Sequence, residues 1–183
     1  ALDAGTGERR WRVKTRLSGF GVTSSPAVAD GVVYFGSDSG QFLAVDADSG
    51  EVIWEFEVQP VQGLPSSPVV ADGIVYFGVV APPGSSAFGG LIALDAASGE
   101  ELWRFGGPDL DMISSPAYEN GVVYVVAPAG DTGVGGLAAL DAQSGSVLWW
   151  FELDGAPSDS PVVVDGTVYF QANGSFLAVE PPV

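Results

Sequence analysis

Residues 46–56 read DADSGEVIWEF, a stretch in which an aspartate, a glycine and a tryptophan follow one another at fixed spacing. The same spacing recurs along the chain and gives four copies: LDAGTGERRW at 2–11, VDADSGEVIW at 45–54, LDAASGEELW at 94–103 and LDAQSGSVLW at 140–149. Successive tryptophans are 43, 49 and 46 residues apart. A repeat length in the forties without helical periodicity indicates the blades of a β-propeller.

A second signature recurs between these copies: SSPAVADGVVYFG from Ser24, SSPVVADGIVYFG from Ser66, SSPAYENGVVYVV from Ser114 and SDSPVVVDGTVYF from Ser158. Its Asp-Gly or Asn-Gly pair accepts the positive φ angles of a type I′ hairpin turn. The residues after the turn are β-branched or aromatic, as strands prefer. Each repeat is therefore predicted to form four short strands.

The aspartate-rich loop that contains Asp46 has two interpretations, a calcium site or a turn. Asp46 has an aspartate equivalent in every copy, whereas Asp48 is replaced by Gly5, Ala97 and Gln143. A calcium loop needs several oxygen ligands at fixed positions. A turn needs one aspartate that accepts hydrogen bonds from nearby backbone N–H groups, and a glycine. The pattern therefore predicts a structural turn.

The combination [AL]-x-D-x-x-[ST]-G-E-x-x-W, with SSP and DG-x-V-Y-F between copies, resembles the repeats of pyrroloquinoline-quinone (PQQ)-like β-propellers, also called quinoprotein alcohol dehydrogenase-like propellers. The resemblance covers nearly the whole chain. It implies one all-β domain, residues 1–183, made of four four-stranded antiparallel blades, with repeats at about 18–60, 61–107, 108–153 and 154–180 closed by 1–17.

The resemblance also implies tryptophan docking, in which the indole of one blade packs against a neighbouring blade. The docking tryptophans would be Trp11, Trp54, Trp103 and Trp149, and their turn glycines would be Gly7, Gly50, Gly99 and Gly145. Burying an indole removes more than 150 Å² from water, which is worth about a few kcal/mol. Docking is therefore expected to hold the blades together.

The two ends of the chain have the same phase in the repeat, since Asp3 and Glu180 occupy equivalent positions. Residues 158–180 offer three strands of a blade and residues 8–17 offer a fourth, whose pairing would remove free edges. Family propellers typically have seven or eight blades. Three arrangements stay open: a closed four-bladed ring, which we prefer, an eight-bladed ring of two chains, and a fragment of a longer propeller.

The formal net charge of −17 repels nucleic acid and anionic lipid, so neither is an expected partner. No apolar run approaches the roughly 20 residues of a membrane helix. Five of the six cations lie in RRWRVKTR at 9–16, where alternate residues would share one face of a strand. We interpret this stripe as an edge that is protected or paired by charge, with a docking surface as the alternative.

The chain has no cysteine and no histidine, which excludes disulfides, thiolate nucleophiles, histidine triads and most zinc sites. In enzymes of the resembled family, a quinone, a calcium ion and a catalytic aspartate occupy the axial channel. No such ligand cluster is recognisable in this sequence, and Asp159, which breaks the SSP pattern, is a lone carboxylate. We therefore predict no enzyme activity and no cofactor, with a location outside the cytoplasm on resemblance alone.

The blades differ most in the segments VVAPPGSSAFGGL at 79–91 and VVAPAGDTGVGGL at 125–137, where the other two blades have short turns. Loops on a rigid scaffold often carry binding. We expect this rim to contact a protein partner through Pro82, Pro83, Phe88, Asp131 and Asp159. The leading function is a non-catalytic scaffold. The alternatives are a relative or fragment of a PQQ-dependent dehydrogenase, and a polysaccharide-binding module that uses Trp150 and Phe88.

Overall fold

The computed structural model describes residues 1–16, 21–108, 114–127, 135–153, 159–172 and 174–180. These residues form four antiparallel sheets, which confirms the predicted all-β propeller architecture. Blade 1 contains β1 (Ala27–Ala29), β2 (Val32–Gly36), β3 (Gln41–Asp46) and β4 (Val52–Glu57). Blade 2 contains β5 (Val69–Ala71), β6 (Ile74–Val79), β7 (Gly89–Asp95) and β8 (Glu101–Gly107). Blade 3 contains β9 (Ala117–Glu119), β10 (Val122–Ala127), β11 (Gly135–Asp141) and β12 (Val147–Leu153). Blade 4 contains β13 (Val162–Val164), β14 (Thr167–Ala172) and β15 (Ser175–Val179).

The first hairpin of every blade turns at the predicted two-residue pair. Asp30, Asp72, Asn120 and Asp165 have φ angles of 48°, 49°, 50° and 50°, and the glycine after each also has a positive φ. Two successive positive φ angles match the right-handed twist of the flanking strands. These turns fix the register, so that Ala29 pairs with Val32 and the equivalent residues pair in the other blades.

The third and fourth strands share an irregularity in blades 1, 2 and 3. Their register shifts by one residue just after Ala44, Ala93 and Ala139, each of which pairs with a motif tryptophan. Such a bulge locally re-aims the strand that carries it. The tryptophan is thereby placed at the same point in each of the three blades.

The apolar cores lie between blades rather than within them. One core joins blades 1 and 2 and includes Phe42 and Phe77, whose rings stack 4.0 Å apart. The second joins blades 2 and 3 around Tyr76, and the third joins blades 3 and 4 around Phe170. A fully buried residue of this size contributes about 1.5–3 kcal/mol relative to exposure, so each blade is stabilised mainly by its neighbours.

The two ends of the stack of blades differ. Residues 1–16 fold back through a bridge between Leu2 and Arg9 and lie against blade 1. At the other end, blade 4 has three strands, and no strand of the described residues pairs with the outer side of β15. The expected pairing of this strand with 8–17 is therefore absent from the described part of the chain, and the four blades do not close through it.

Within the described residues, no helix is long and apolar enough to cross a membrane.

Candidate functional site

The recurring aspartate is used inside its own turn. Asp46 Oδ1 accepts hydrogen bonds from the backbone nitrogens of Ser49 at 2.7 Å and Asp48 at 3.1 Å, and from Ser49 Oγ at 2.8 Å. The same bonds to the serine or threonine three residues later form at Asp3, Asp95 and Asp141. The hydrogen bonds from the Ser49 backbone and side chain lower the pKa of Asp46. Among the described residues, no group of three or more acidic side chains is arranged to hold a metal.

Three of the four motif tryptophans lie on the motif glycine of the next repeat. The pairs are Trp11 on Gly50, Trp54 on Gly99, and Trp103 on Gly145. A Cβ atom on these glycines would lie 2.7, 2.7 and 2.6 Å from the indole, so only glycine leaves room for the ring. Each indole Nε1 also donates to a backbone carbonyl of the same turn, at 2.9 Å for Ala47, 3.0 Å for Ala96 and 3.0 Å for Ala142.

The fourth tryptophan and the first glycine have no such partner in the part of the chain that the structure describes. Trp149 lies 6.0 Å from Tyr124, measured between ring centroids, and its Nε1 has no acceptor among the described residues. A Cβ atom on Gly7 would meet nothing within 4 Å. Gly7 nevertheless has the positive φ of 73° found at the other docking glycines, and Asp3 holds its turn in the same way. We call the contact of an indole with a turn glycine and its carbonyl a joint. Trp149 and Gly7 are therefore the two parts of such a joint that have no partner among the described residues.

A tyrosine also bonds at the joints between blades 1 and 2 and between blades 2 and 3, which the sequence pattern did not predict. Tyr34 Oη donates to the Ala96 carbonyl at 3.2 Å, so this oxygen accepts bonds from both Tyr34 and Trp54. Tyr76 Oη and Trp103 Nε1 share the Ala142 carbonyl in the same way. Burial raises the pKa of Tyr76, so this hydroxyl stays protonated. The signal was present in the sequence as the tyrosine of every DG-x-V-Y copy.

Serines link the first strands of neighbouring blades. The backbone nitrogen of Ser25 donates to Ser67 Oγ at 3.0 Å, Ser67 to Ser115 Oγ at 2.9 Å, and Ser115 to Ser160 Oγ at 2.9 Å. We call this chain of bonds the serine belt. The preceding serine bonds within its own blade instead, since Ser66 Oγ accepts the Gly78 backbone N–H at 2.8 Å. The SSP motif is therefore a structural element of the blade joints.

Asp159 ends the serine belt. It stands where blades 1 to 3 have the first serine of SSP, and its Oδ1 accepts the backbone N–H of Ser160 at 2.8 Å. That N–H is the group that would donate to a next serine. Asp159 is exposed, and within the described residues its carboxylate bonds only to the backbone of its own neighbour in sequence.

The predicted rim residues that the structure describes differ in exposure. Pro83 is exposed and Pro82 is half-buried. Phe88 packs against the core between blades 1 and 2, and the Arg104 guanidinium lies over its ring, 4.8 Å from the centroid. Asp131 lies outside the described residues.

Blade 3 has an outer strand that differs from those of blades 1 and 2. Trp150 of β12 is 38% exposed, and its indole lies flat against Gly136 of β11. At the position of Trp150, blade 1 has Glu55, whose Oε1 accepts a hydrogen bond from Gln41 at 2.7 Å, and blade 2 has Arg104. Val147, Leu148 and Phe151 are also exposed, at 50%, 51% and 43%. The outer strands of blades 1 and 2 also expose apolar side chains, at Val52, Ile53 and Leu102, but among the described outer strands exposed aromatic rings lie on β12.

The cationic stripe at 9–16 has the predicted two faces. Arg12, Lys14 and Arg16 are exposed, whereas Trp11, Val13 and Thr15 are half-buried against blade 1. Within the described residues, Arg16 forms ion pairs with Glu55 at 3.0 Å and Glu57 at 3.3 Å, and Arg10 forms one with Asp48 at 3.7 Å. The stripe is thus partly paired inside the chain.

A cavity of about 250 Å³ lies at the rim between blades 1 and 2, lined by Asp38, Gln62, Gly63, Pro65 and Val80. Its carboxylate already accepts a hydrogen bond from Thr23 Oγ1 at 2.8 Å. The cavity therefore offers mostly apolar surface and backbone groups to a ligand.

Comparison with known proteins identifies the class. The sequence model of the family described as outer membrane protein assembly factor BamB matches residues 1–88 and again 87–181. The chain therefore belongs to this family of PQQ-like β-propeller repeats.

One sequence relative is the quinohemoprotein alcohol dehydrogenase ADH-IIG of Pseudomonas putida, which is 35% identical over 69 residues, covering 33% of this chain and 10% of that enzyme. The structure of BamB from Moraxella catarrhalis matches with a TM-score of 0.70 and 20% identity, over 98% of this chain and 51% of that one. The quinohemoprotein alcohol dehydrogenase from Comamonas testosteroni matches with a TM-score of 0.79 and 18% identity, over 98% and 38%. The chain spans about half or less of these relatives.

Proposed function

We propose that this chain is a non-catalytic β-propeller scaffold that presents rim loops to a protein partner. The observation that carries the proposal is the use of its recurring polar groups. The aspartates bond within their turns, and the serines and indoles bond to the neighbouring blade. These groups are occupied in building the stack, whereas the rim loops vary from blade to blade.

The family name supports a protein partner and a location outside the cytoplasm, because the matched family is described by outer membrane protein assembly. Within a single domain of residues 1–183, we assign the docking role to the four motif tryptophans and their glycines. A second copy of the chain, completing an eight-bladed ring, is a further proposed partner.

The rim proposal is tested at Pro83, an exposed residue of the loop between β6 and β7. Pro83→Glu places a charge on this loop without changing a buried group. The matched control is Ile53→Glu, which changes a residue 49% exposed on β4, away from the rim. Proteins of the cell envelope retained by the immobilised chain are compared by mass spectrometry. We expect one protein to be lost with Pro83→Glu and kept with Ile53→Glu; identical retention by both variants overturns the rim proposal.

A dehydrogenase-related role is the second candidate, favoured by the 35% identity to the alcohol dehydrogenase segment. Titration with PQQ and Ca²⁺, followed by thermal unfolding, separates the two. A scaffold is expected to show no saturable shift in melting temperature. A saturable shift would favour quinone binding and reject the non-catalytic reading.

Polysaccharide binding is the third candidate, because aromatic Trp150 is exposed on the apolar edge of blade 3. Affinity electrophoresis in gels containing soluble polysaccharides tests it, with Trp150→Ala as the variant. Retardation of the wild-type chain that this substitution abolishes would support this role over the scaffold.

A further inference from the structure

The two ends of the stack are complementary parts of one joint. Within the described residues, blade 4 has three strands and lacks the turn and fourth strand that follow the third strand in blades 1 to 3. Trp149 and Tyr124 of blade 3 lie side by side, in the arrangement that Trp103 and Tyr76 of blade 2 adopt with a 5.7 Å ring separation. In the complete joint, both polar groups of such a pair donate to one alanine carbonyl. At the other end, residues 1–16 provide the alanine, the glycine and an outer strand, with the space over Gly7 open.

We propose that two copies of this chain join end to end, with Trp149 of one copy on Gly7 of the other. In this joint, Trp149 Nε1 and Tyr124 Oη donate to the Ala4 carbonyl, since Ala4 follows Asp3 as Ala142 follows Asp141. The inference rests on the proposed pairing of two copies and assigns the atoms that make it.

The exposed apolar face of blade 4 fits this occupant. Phe176 is 73% exposed, Val162 58% and Val164 52%, at the end of the stack where a next blade would lie. Phe176 occupies in blade 4 the place of Phe42 in blade 1, which stacks on Phe77 of blade 2. The residue equivalent to Phe77 in blade 1 is Phe35, which is half-buried. The joint therefore stacks Phe176 of one copy on Phe35 of the other.

Charge favours the same occupant. The segment 9–16 carries five of the six cations of the chain, whereas residues 154–183 carry four acidic residues and no cation. Bringing one copy's 9–16 beside the other copy's blade 4 places opposite charges together.

At the joint, residues 1–3 of one copy and residues 178–180 of the other correspond to the same three positions of the repeat. Ala1–Leu2–Asp3 lie against 9–11, in the place that Ala178–Val179–Glu180 would take, because the two triplets are equivalent. Only one of the two triplets can lie beside 9–11 in the joint. We infer that residues 1–3 stay there and that residues 178–180 move away, because Asp3 already holds the turn through the Gly5 and Thr6 backbone N–H groups. Leu177 and Phe176 of β15 then pair with Arg12 and Val13 of the other copy, following the register of β3 with β4.

The first measurement is the mass of the 183-residue chain by light scattering over a concentration series. Two copies give twice 18.7 kDa. Trp149→Ala is expected to raise the dissociation constant of the dimer by roughly 30-fold or more, as loss of a central indole does at interfaces. The matched control is Trp150→Ala, which removes an indole from the same strand but from its opposite face.

Gly7→Ala provides a second test with its own control. Gly7 and Gly73 have φ angles of 73° and 77°, and a Cβ atom on either meets nothing within 4 Å in the single chain. The backbone strain is therefore equal. Gly7→Ala is expected to weaken the dimer, because the methyl group occupies the place of the incoming indole, whereas Gly73→Ala leaves the dimer unchanged.

A disulfide measures the joint directly, because the chain has no cysteine. A Phe176→Cys chain mixed with a Phe35→Cys chain is expected to form a cross-linked dimer, and a mixture of Phe176→Cys with Ile53→Cys is not. A wild-type chain that is monomeric overturns both the pairing and the joint. If the chain is a dimer whose dissociation constant is unchanged by Trp149→Ala and Gly7→Ala, and no cross-link forms between positions 176 and 35, the proposed joint is wrong although two copies do pair.

Discussion

Trp103 and Trp11 make the same two contacts in different surroundings. Each lies on a turn glycine and donates Nε1 to a carbonyl, at 3.0 Å and 2.9 Å. Trp103 is only 8% exposed, and Tyr76 shares its acceptor. Trp11 is half-buried, and ion pairs of Arg10 and Arg16 lie on either side of it in sequence. The motif thus sets the geometry of a joint, whereas the surrounding strands set how much water is excluded and how strong the joint is.

The largest effect is expected from truncating these two indoles. Trp103→Ala should lower the free energy of unfolding by about 3–5 kcal/mol, because it leaves a buried cavity between blades 2 and 3. Trp11→Ala should lower it by about 1–3 kcal/mol, since part of that indole stays in water. Urea unfolding measures both. Equal losses would show that the burial of the indole does not decide the strength of the joint.

A methyl group on a docking glycine is expected to have the next largest effect. A Cβ atom on Gly145 would lie 2.6 Å from Trp103, and the φ of Gly145 is 70°. Gly145→Ala should cost about 3 kcal/mol or more, from strain and overpacking together. Gly121, with a φ of 81° and nothing near its Cβ position, is the matched control. Gly121→Ala should cost about 1–2 kcal/mol from strain alone. If the two variants unfold at the same urea concentration, the indole does not need the space above the glycine.

Acid is expected to destabilise all the motif turns, and the loss of stability at each turn is expected to be smaller than that caused by a methyl group on a docking glycine. The hydrogen bonds from the Ser98 backbone and side chain lower the pKa of Asp95, and equivalent bonds lower those of Asp3, Asp46 and Asp141. A lowered folded-state pKa contributes stability above the unfolded pKa, near 4, which is lost as the pH falls through the folded value. Asp95→Asn should therefore be less stable than wild type at pH 7, and the difference should shrink below about pH 4. A difference that is constant with pH would contradict this origin.

The smallest effect is expected at the stripe of cations. Arg16→Ala removes two partly exposed ion pairs, to Glu55 and Glu57, and should lower stability by about 1 kcal/mol or less. The loss should decline in 1 M salt, which screens such pairs. Arg12→Ala is the control, because Arg12 has no ion pair within the described ranges. Equal losses in the two variants would assign the effect to the net charge.

The spacing of motifs was enough to predict the blades and their hairpins. It did not predict that Trp11, Trp54 and Trp103 each lie on the glycine of the next repeat, because the sequence assigned the glycines only as turn partners. Asp30-Gly31 turns as type I′ chemistry requires, and that information is local. The bond from Tyr76 to Ala142 and the serine belt were not predicted, because they join residues 42 to 66 positions apart and one atom of each bond is a backbone atom, which carries no sequence identity. Phe88 was predicted at the rim as a contact residue, but Arg104 covers its ring. Arg104 belongs to β8, so its contact with Phe88 could not be predicted from the sequence of the loop that contains Phe88.

The serine belt and the indoles hold adjacent blades at two different distances from the propeller axis. The belt joins the short first strands, which approach one another at the centre, whereas the indoles join the turns next to the outer strands. Two fixed spacings at unequal radii define a wedge, and the angle of the wedge determines how many blades complete a full circle. A longer link than a serine hydroxyl at the inner position would widen the inner spacing, narrow that angle and raise the blade number of any ring built from these repeats.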